Sequence, residues 1–149
     1  MAYFKTYIEL VNYFSTLTTS VPSLKGVTVG SDEETLSQQP TRIDYPHLRV
    51  DTPSIRFMND DDTPRTQYKF TLFVITNEAR GTNEDANTAL SAMATLAQKI
   101  LKQLYADAEA GKFDLVLGDK EGDAVRAWSG DNDFGWYFQV VIELYTDEC

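Results

Sequence analysis

The order of hydrophobic patterns predicts an α+β domain: two helices packed on one face of a largely antiparallel, or in part mixed, β-sheet. Three observations lead there. Apolar residues recur with the helical period near the start, they do so again over about residues 84–104, and the segments between and after these helices alternate with a period of two. The last and clearest strand is "GWYFQVVIELY".

Residues 3–18 read as the first helix, with Phe4, Ile8, Val11, Phe14 or Ser15, and Leu17 returning on one side and Lys5 and Glu9 a turn apart on a wetter one. Pro22 and Gly26 mark its exit, and "GVTVG" is a short strand between glycines. Residues 31–43, "SDEETLSQQPTRI", show no periodicity and read as a long loop. "YPHLRV" brings Leu48 and Val50 into phase. "PSIRFM" and "QYKFTLFVIT" are separated only by the turn-forming "NDDDTP", so residues 54–58 and 67–76 form a hairpin.

In the second hairpin strand Tyr68, Phe70, Leu72 and Val74 share one face, with Thr71, Phe73 and Ile75 on the other. The second helix is capped by "TNED" and carries the stripe Leu90, Met93, Ala97, Ile100, Leu101 and Leu104, with Lys99 and Lys102 near its C-terminal end. "FDLVLG" and "AVRAW" read as strands, and "GDND" as the turn into the final strand. There Trp136, Phe138, Val140, Ile142 and Leu144 form a core face. The reverse face, with Tyr137, Gln139, Val141, Glu143 and Tyr145, is half apolar. Either a partner covers it or the 31–43 loop folds across it.

At 149 residues the chain is the size of one domain, spanning 1–149. Its formal charge of −10 argues against gripping a phosphate backbone, which needs Lys and Arg, yet suits a surface past which DNA slides without sticking. The single cysteine, Cys149, excludes an intrachain disulfide. The start lacks the basic residues and apolar run of a signal peptide, and no segment is long and apolar enough to span a membrane, so a soluble intracellular protein is expected.

Catalytic and metal patterns are missing. His47 is the only histidine, and its place beside Pro46 and a strand suits a surface or interface side chain better than a general base. No serine stands in a nucleophile elbow. One histidine and one cysteine do not make a structural zinc site, and Asp131, Asp133 and Gly135 depart from a calcium loop, which would place glutamate where Ile142 stands. Phosphate-loop residues are absent, so neither an enzyme nor a cofactor is expected. Acidic residues crowd the last part of the chain: Asp119, Glu121, Asp123, Asp131, Asp133, Glu143, Asp147 and Glu148.

The element order resembles that of the tail terminator, or tail completion, proteins that join heads to tails in tailed bacteriophages. What carries the resemblance is the N-terminal amphipathic helix, the long loop leading to "YPHLRV", the hairpin ending in "YKFTLFVIT", the helix "EDANTALSAMATLAQKILKQL" and the closing "FGWYFQVVIELY". It covers nearly the whole chain.

The resemblance implies a structural subunit of the virion tail and neck, assembled in the host cytoplasm. Six copies would form a ring that caps the head-proximal end of the tail tube, stops tube polymerisation and meets the neck or connector protein, while DNA passes without specific binding. Subunit or tube contacts are expected from Phe73, Ile75, Tyr137, Val141 and Tyr145, with Tyr45 and His47 at the rim. Either Asp60, Asp61 and Asp62 or Asp131 and Asp133 would face the lumen. The alternatives are another neck, connector or contractile-injection-machine ring, and an acidic inhibitor that mimics DNA.

Overall fold

The computed structural model describes residues 3–30, 44–58, 64–76, 83–116, 118, 120–128 and 133–145. Its elements run α1 (Tyr7–Ser15), α2 (Leu17–Ser20), β1 (Gly26–Val29), β2 (His47–Val50), β3 (Ser54–Met58), β4 (Arg65–Thr76), α3 (Asn83–Glu109), β5 (Asp114–Leu115), β6 (Gly122–Trp128) and β7 (Asp133–Tyr145). The α+β class holds, with a mixed sheet.

Two long strands form the spine of the sheet. β4 and β7 pair antiparallel along their length, from Arg65 opposite Tyr145 to Thr76 opposite Phe134. Two strands share the outer edge of β4, with β2 beside residues 72–75 and β3 beside residues 65–69. The outer edge of β7 is likewise divided between β6 and β5. β1 adds to β2 in parallel, the one parallel pairing among the described residues.

Sequence reading expects a single helix over 3–18, but the chain forms two. A capping box starts α1: the Thr6 hydroxyl accepts from the Glu9 N–H, and Glu9 Oε1 accepts from the Thr6 N–H at 3.1 Å. Thr16 interrupts the helix, its hydroxyl donating back to the Tyr13 carbonyl at 2.9 Å, and α2 resumes for one turn. The second helix runs past the expected Leu104 to Glu109. It ends where the Gly111 and Lys112 N–H groups donate to the Ala108 and Asp107 carbonyls, with Gly111 at φ +89°. The expected "FDLVLG" strand shrinks to two residues, because Gly118 at φ +130° turns the chain away and β6 takes over the rest of the β7 edge.

The core lies between the helices and one sheet face. Leu48, Val50, Phe70, Leu72, Val74, Phe138, Val140, Ile142 and Leu144 point into it from the strands, meeting Leu10, Phe14 and Leu17 and the α3 stripe of Met93, Leu96, Ala97, Ile100 and Leu104. Each fully buried large side chain contributes roughly 1.5–3 kcal/mol by leaving water. Tyr7 stacks over Tyr68 at 5.5 Å and Phe14 meets Phe70 edge-on at 5.0 Å, fixing α1 over β4. The Trp136 indole N–H donates to the Leu90 carbonyl at 2.8 Å, tying α3 to β7. The described helices pack on this face alone, and the opposite face carries the candidate site.

Candidate functional site

Strand parity places Phe73, Ile75, Tyr137, Val141 and Tyr145 together on the face opposite the helices, as sequence alternation predicts. The face is more structured than a bare apolar patch. Across its middle runs one row of register partners: Thr28, Arg49, Phe73, Tyr137 and Asp123, one from each of five strands. The Arg49 guanidinium lies 5.3 Å from the Phe73 ring centroid while its Nε meets Asp51 Oδ1 at 2.9 Å. Phe73 stacks on Tyr137 with centroids 5.4 Å apart and planes at 29°, and the Tyr137 hydroxyl donates to Asp123 Oδ2 at 3.3 Å. Neighbouring strands lie about 4.8 Å apart, which lets side chains directly opposite on one face stack in this way.

One row further along, the structure differs from expectation. Ile75 and His47 are only 2% and 4% exposed, so neither lines an accessible face. His47 is a buried structural residue: Nε2 lies 2.7 Å from the Thr28 hydroxyl and Nδ1 3.2 Å from the Asp44 carbonyl. A carbonyl only accepts, so a neutral ring carries its proton on Nδ1 and receives the Thr28 hydroxyl proton at Nε2. Burial lowers the His47 pKa below its ordinary value, outweighing the hydrogen bond to Asp44 and the Asp44 charge, which raise it. Gly26 leaves room for this ring, since a Cβ there would come within 2.8 Å of Nδ1. Tyr45 is half-buried beside it, its ring 6.4 Å from the imidazole.

Toward the other end the face becomes polar. Val141 is half-buried opposite the exposed Lys69, and it borders a surface depression of about 950 Å³ that Lys69, Lys120, Tyr137 and Gln139 also line. Glu143 binds Arg65 at 3.2 Å and Gln67 at 2.8 Å. Tyr145 is half-buried beside Tyr3, whose hydroxyl accepts from the Tyr145 N–H and donates to the Glu143 carbonyl. Phe73, Tyr137, Val141 and Tyr145 are thus the predicted residues that this face exposes in part.

Asp60, Asp61, Asp62 and Asp131 lie outside the described residues. Asp133 opens β7, its backbone paired with Trp128. Met58 and Arg65, which flank the Asp60–Asp62 run in sequence, stand at the Tyr145 end of the sheet, whereas Asp133 stands at the Thr76 end. No cluster able to hold a metal ion occurs among the described residues, and no helix there is long and apolar enough to cross a membrane.

Sequence reading missed Arg49 and Asp123, the charged ends of the aromatic row. The signal was available for Arg49, which shares parity with His47 in "HLRV". It also missed Ile55 and Phe57, which are 49% and 68% exposed on β3. Fold and face together define a small α+β domain with helices on one side of its sheet and an amphipathic aromatic row on the other. No family model matches the chain, and no curated protein matches it.

Proposed function

We propose that this protein is the ring subunit that caps the head-proximal end of a phage tail tube, ends tube polymerisation and joins the tail to the neck. The observation that carries the reading is the packing of the described helices on one sheet face, with Phe73, Tyr137, Val141 and Tyr145 half-buried on the other and Phe73 stacked on Tyr137. A partly apolar face of this kind marks a protein interface. Its neighbours suit contact with a different surface: Lys69 and Lys120 lie near Asp123 on the same side, giving charges of both signs to a heterologous contact such as closes a ring. The formal charge of −10 favours a channel from which DNA is repelled as it passes.

Light scattering on a sizing column, followed by mixing with cognate tube protein, tests the reading. A discrete sixfold multiple of 16.8 kDa, with tube growth arrested by the added ring, is the expected result. A protein that stays monomeric and leaves tube growth and tube ends untouched would overturn it. Assembly into a ring with no effect on tubes would point instead to another neck or connector position.

A further inference from the structure

We propose that β3 is an open docking edge that accepts an extended segment of a partner protein, one in which apolar and acidic side chains alternate. This edge is distinct from the aromatic row, and it is set apart by three features that agree. Among the described residues β3 pairs with β4 alone, since β1 lies beside β2 and stops there. Ser54, Ile55, Arg56 and Phe57 are all exposed, and among the described residues no element lies along the outer side of this strand. An added strand would satisfy them with its own N–H and C=O groups.

The side chains state what that strand should carry. On the helix side of the sheet β3 presents Ile55 and Phe57, at 49% and 68% exposure. They continue the apolar floor past Tyr68, the register partner of Ile55 and the residue beneath the Tyr7 ring. On the opposite side stands Arg56, with Lys69 beside Ser54; a depression of about 240 Å³ along the strand is lined by Ser54, Ile55, Arg56, Gln67 and Lys69. Strands β3 and β4 contain Arg56, Arg65 and Lys69 and no acidic residue, in a chain of formal charge −10. Residues of an added strand alternate between the same two faces, so those beside Ile55 and Phe57 should be apolar and those beside Arg56 acidic.

The same charges disfavour the simplest self-association. Two β3 edges paired over their full length about a twofold axis set Arg56 against its own copy, and like charges directly opposite destabilise a strand pair. Edge cations protect strands against such pairing. A partner strand with carboxylates at alternate positions turns that repulsion into attraction, which makes the edge selective.

The test uses the full chain with two blocked synthetic peptides, one alternating aspartate with valine and the other lysine with valine. Binding is followed by titration calorimetry and by hydrogen exchange at Ser54–Met58. The aspartate peptide should bind and slow exchange at these amides, and the lysine peptide should bind at least about tenfold more weakly. Arg56→Glu should reverse the preference and Phe57→Ser should weaken the aspartate peptide, both substitutions lying on exposed positions that leave the fold intact. Absence of binding by either peptide, equal binding by both, or an unchanged preference in Arg56→Glu would overturn the proposal. So would slow exchange at Ser54–Met58 in the free protein that vanishes on dilution, which would assign the edge to a second copy.

Discussion

The Tyr13 hydroxyl donates a 2.6 Å hydrogen bond to Asp107 Oδ2, joining two residues 94 positions apart and locking α1 against the end of α3. Asp107 also accepts from Gln103 at 3.1 Å and meets Lys112 at 3.4 Å, while Lys112 Nζ stands 5.7 Å from the Tyr13 ring centroid. A carboxylate that is only 8% exposed is thereby satisfied on both oxygens. Tyr13→Phe removes one donor and keeps the packing, so it should cost about 1–3 kcal/mol. The urea midpoint should fall with an unchanged slope. Burial first, then the bond to Asp107, raises the Tyr13 pKa above its ordinary value. The folded state therefore retains this proton when the unfolded chain loses it, and the contribution is lost as pH rises above about 10.

His47 gives a pH dependence of the opposite sense. Its folded pKa is depressed, so the unfolded chain binds a proton below about 6.5 that the folded protein refuses. Stability should fall as pH drops from about 6.5 toward the folded value. Being the sole histidine, its ring is directly identifiable by NMR and should protonate at lower pH than a histidine in an unfolded peptide. In His47→Asn the slope of the unfolding midpoint against pH over this window should flatten, whatever the absolute loss of stability.

The fold was legible because each major element has one dominant period. β7 alternates from Trp136 to Leu144, and α3 repeats Met93, Leu96, Ala97, Ile100 and Leu104, so one buries a face and the other a stripe. Thr16 shows where local pattern fails, because a single side-chain bond to the Tyr13 carbonyl breaks a helix whose apolar period continues through it. The aromatic row was only half legible. Alternation put Phe73 and Tyr137 on one face, but their stacking depends on which strands are neighbours, and Arg49 and Asp123 join it only through the registers of β2 and β6. The burial of His47 and Ile75 was hidden for a further reason: parity assigns a face, and it says nothing about what covers that face.

Gly135 tests the register that makes this row. It faces Ile75 across the central pair, and a Cβ there would run into the Val74 carbonyl. Gly135→Ala forces β7 away from β4 at the buried end of the face. The expected loss is at least about 2 kcal/mol, comparable to overpacking a core. Gly30→Ala is the control for a glycine with open space around its missing Cβ, where the strain of φ +126° is the only cost. Hydrogen exchange at β7 amides 134–138 should speed up in Gly135→Ala and stay slow in Gly30→Ala.

Adjacent valines separate the core from the proposed assembly face. Val140 is fully buried opposite Phe70, whereas Val141 is half-buried opposite Lys69 on the open face. Val140→Asp buries a carboxylate without a partner, which costs several kcal/mol, and should leave little folded protein. Val141→Asp sets its carboxylate beside the Lys69 ammonium and exposes it to water, so the circular dichroism spectrum and melting temperature should stay close to those of the parent. If the open face is where copies or tube protein meet, this folded variant should lose assembly and the capping of tube ends. A Val141→Asp protein that assembles and caps like the parent would remove the open face from the interface and leave the fold otherwise as described.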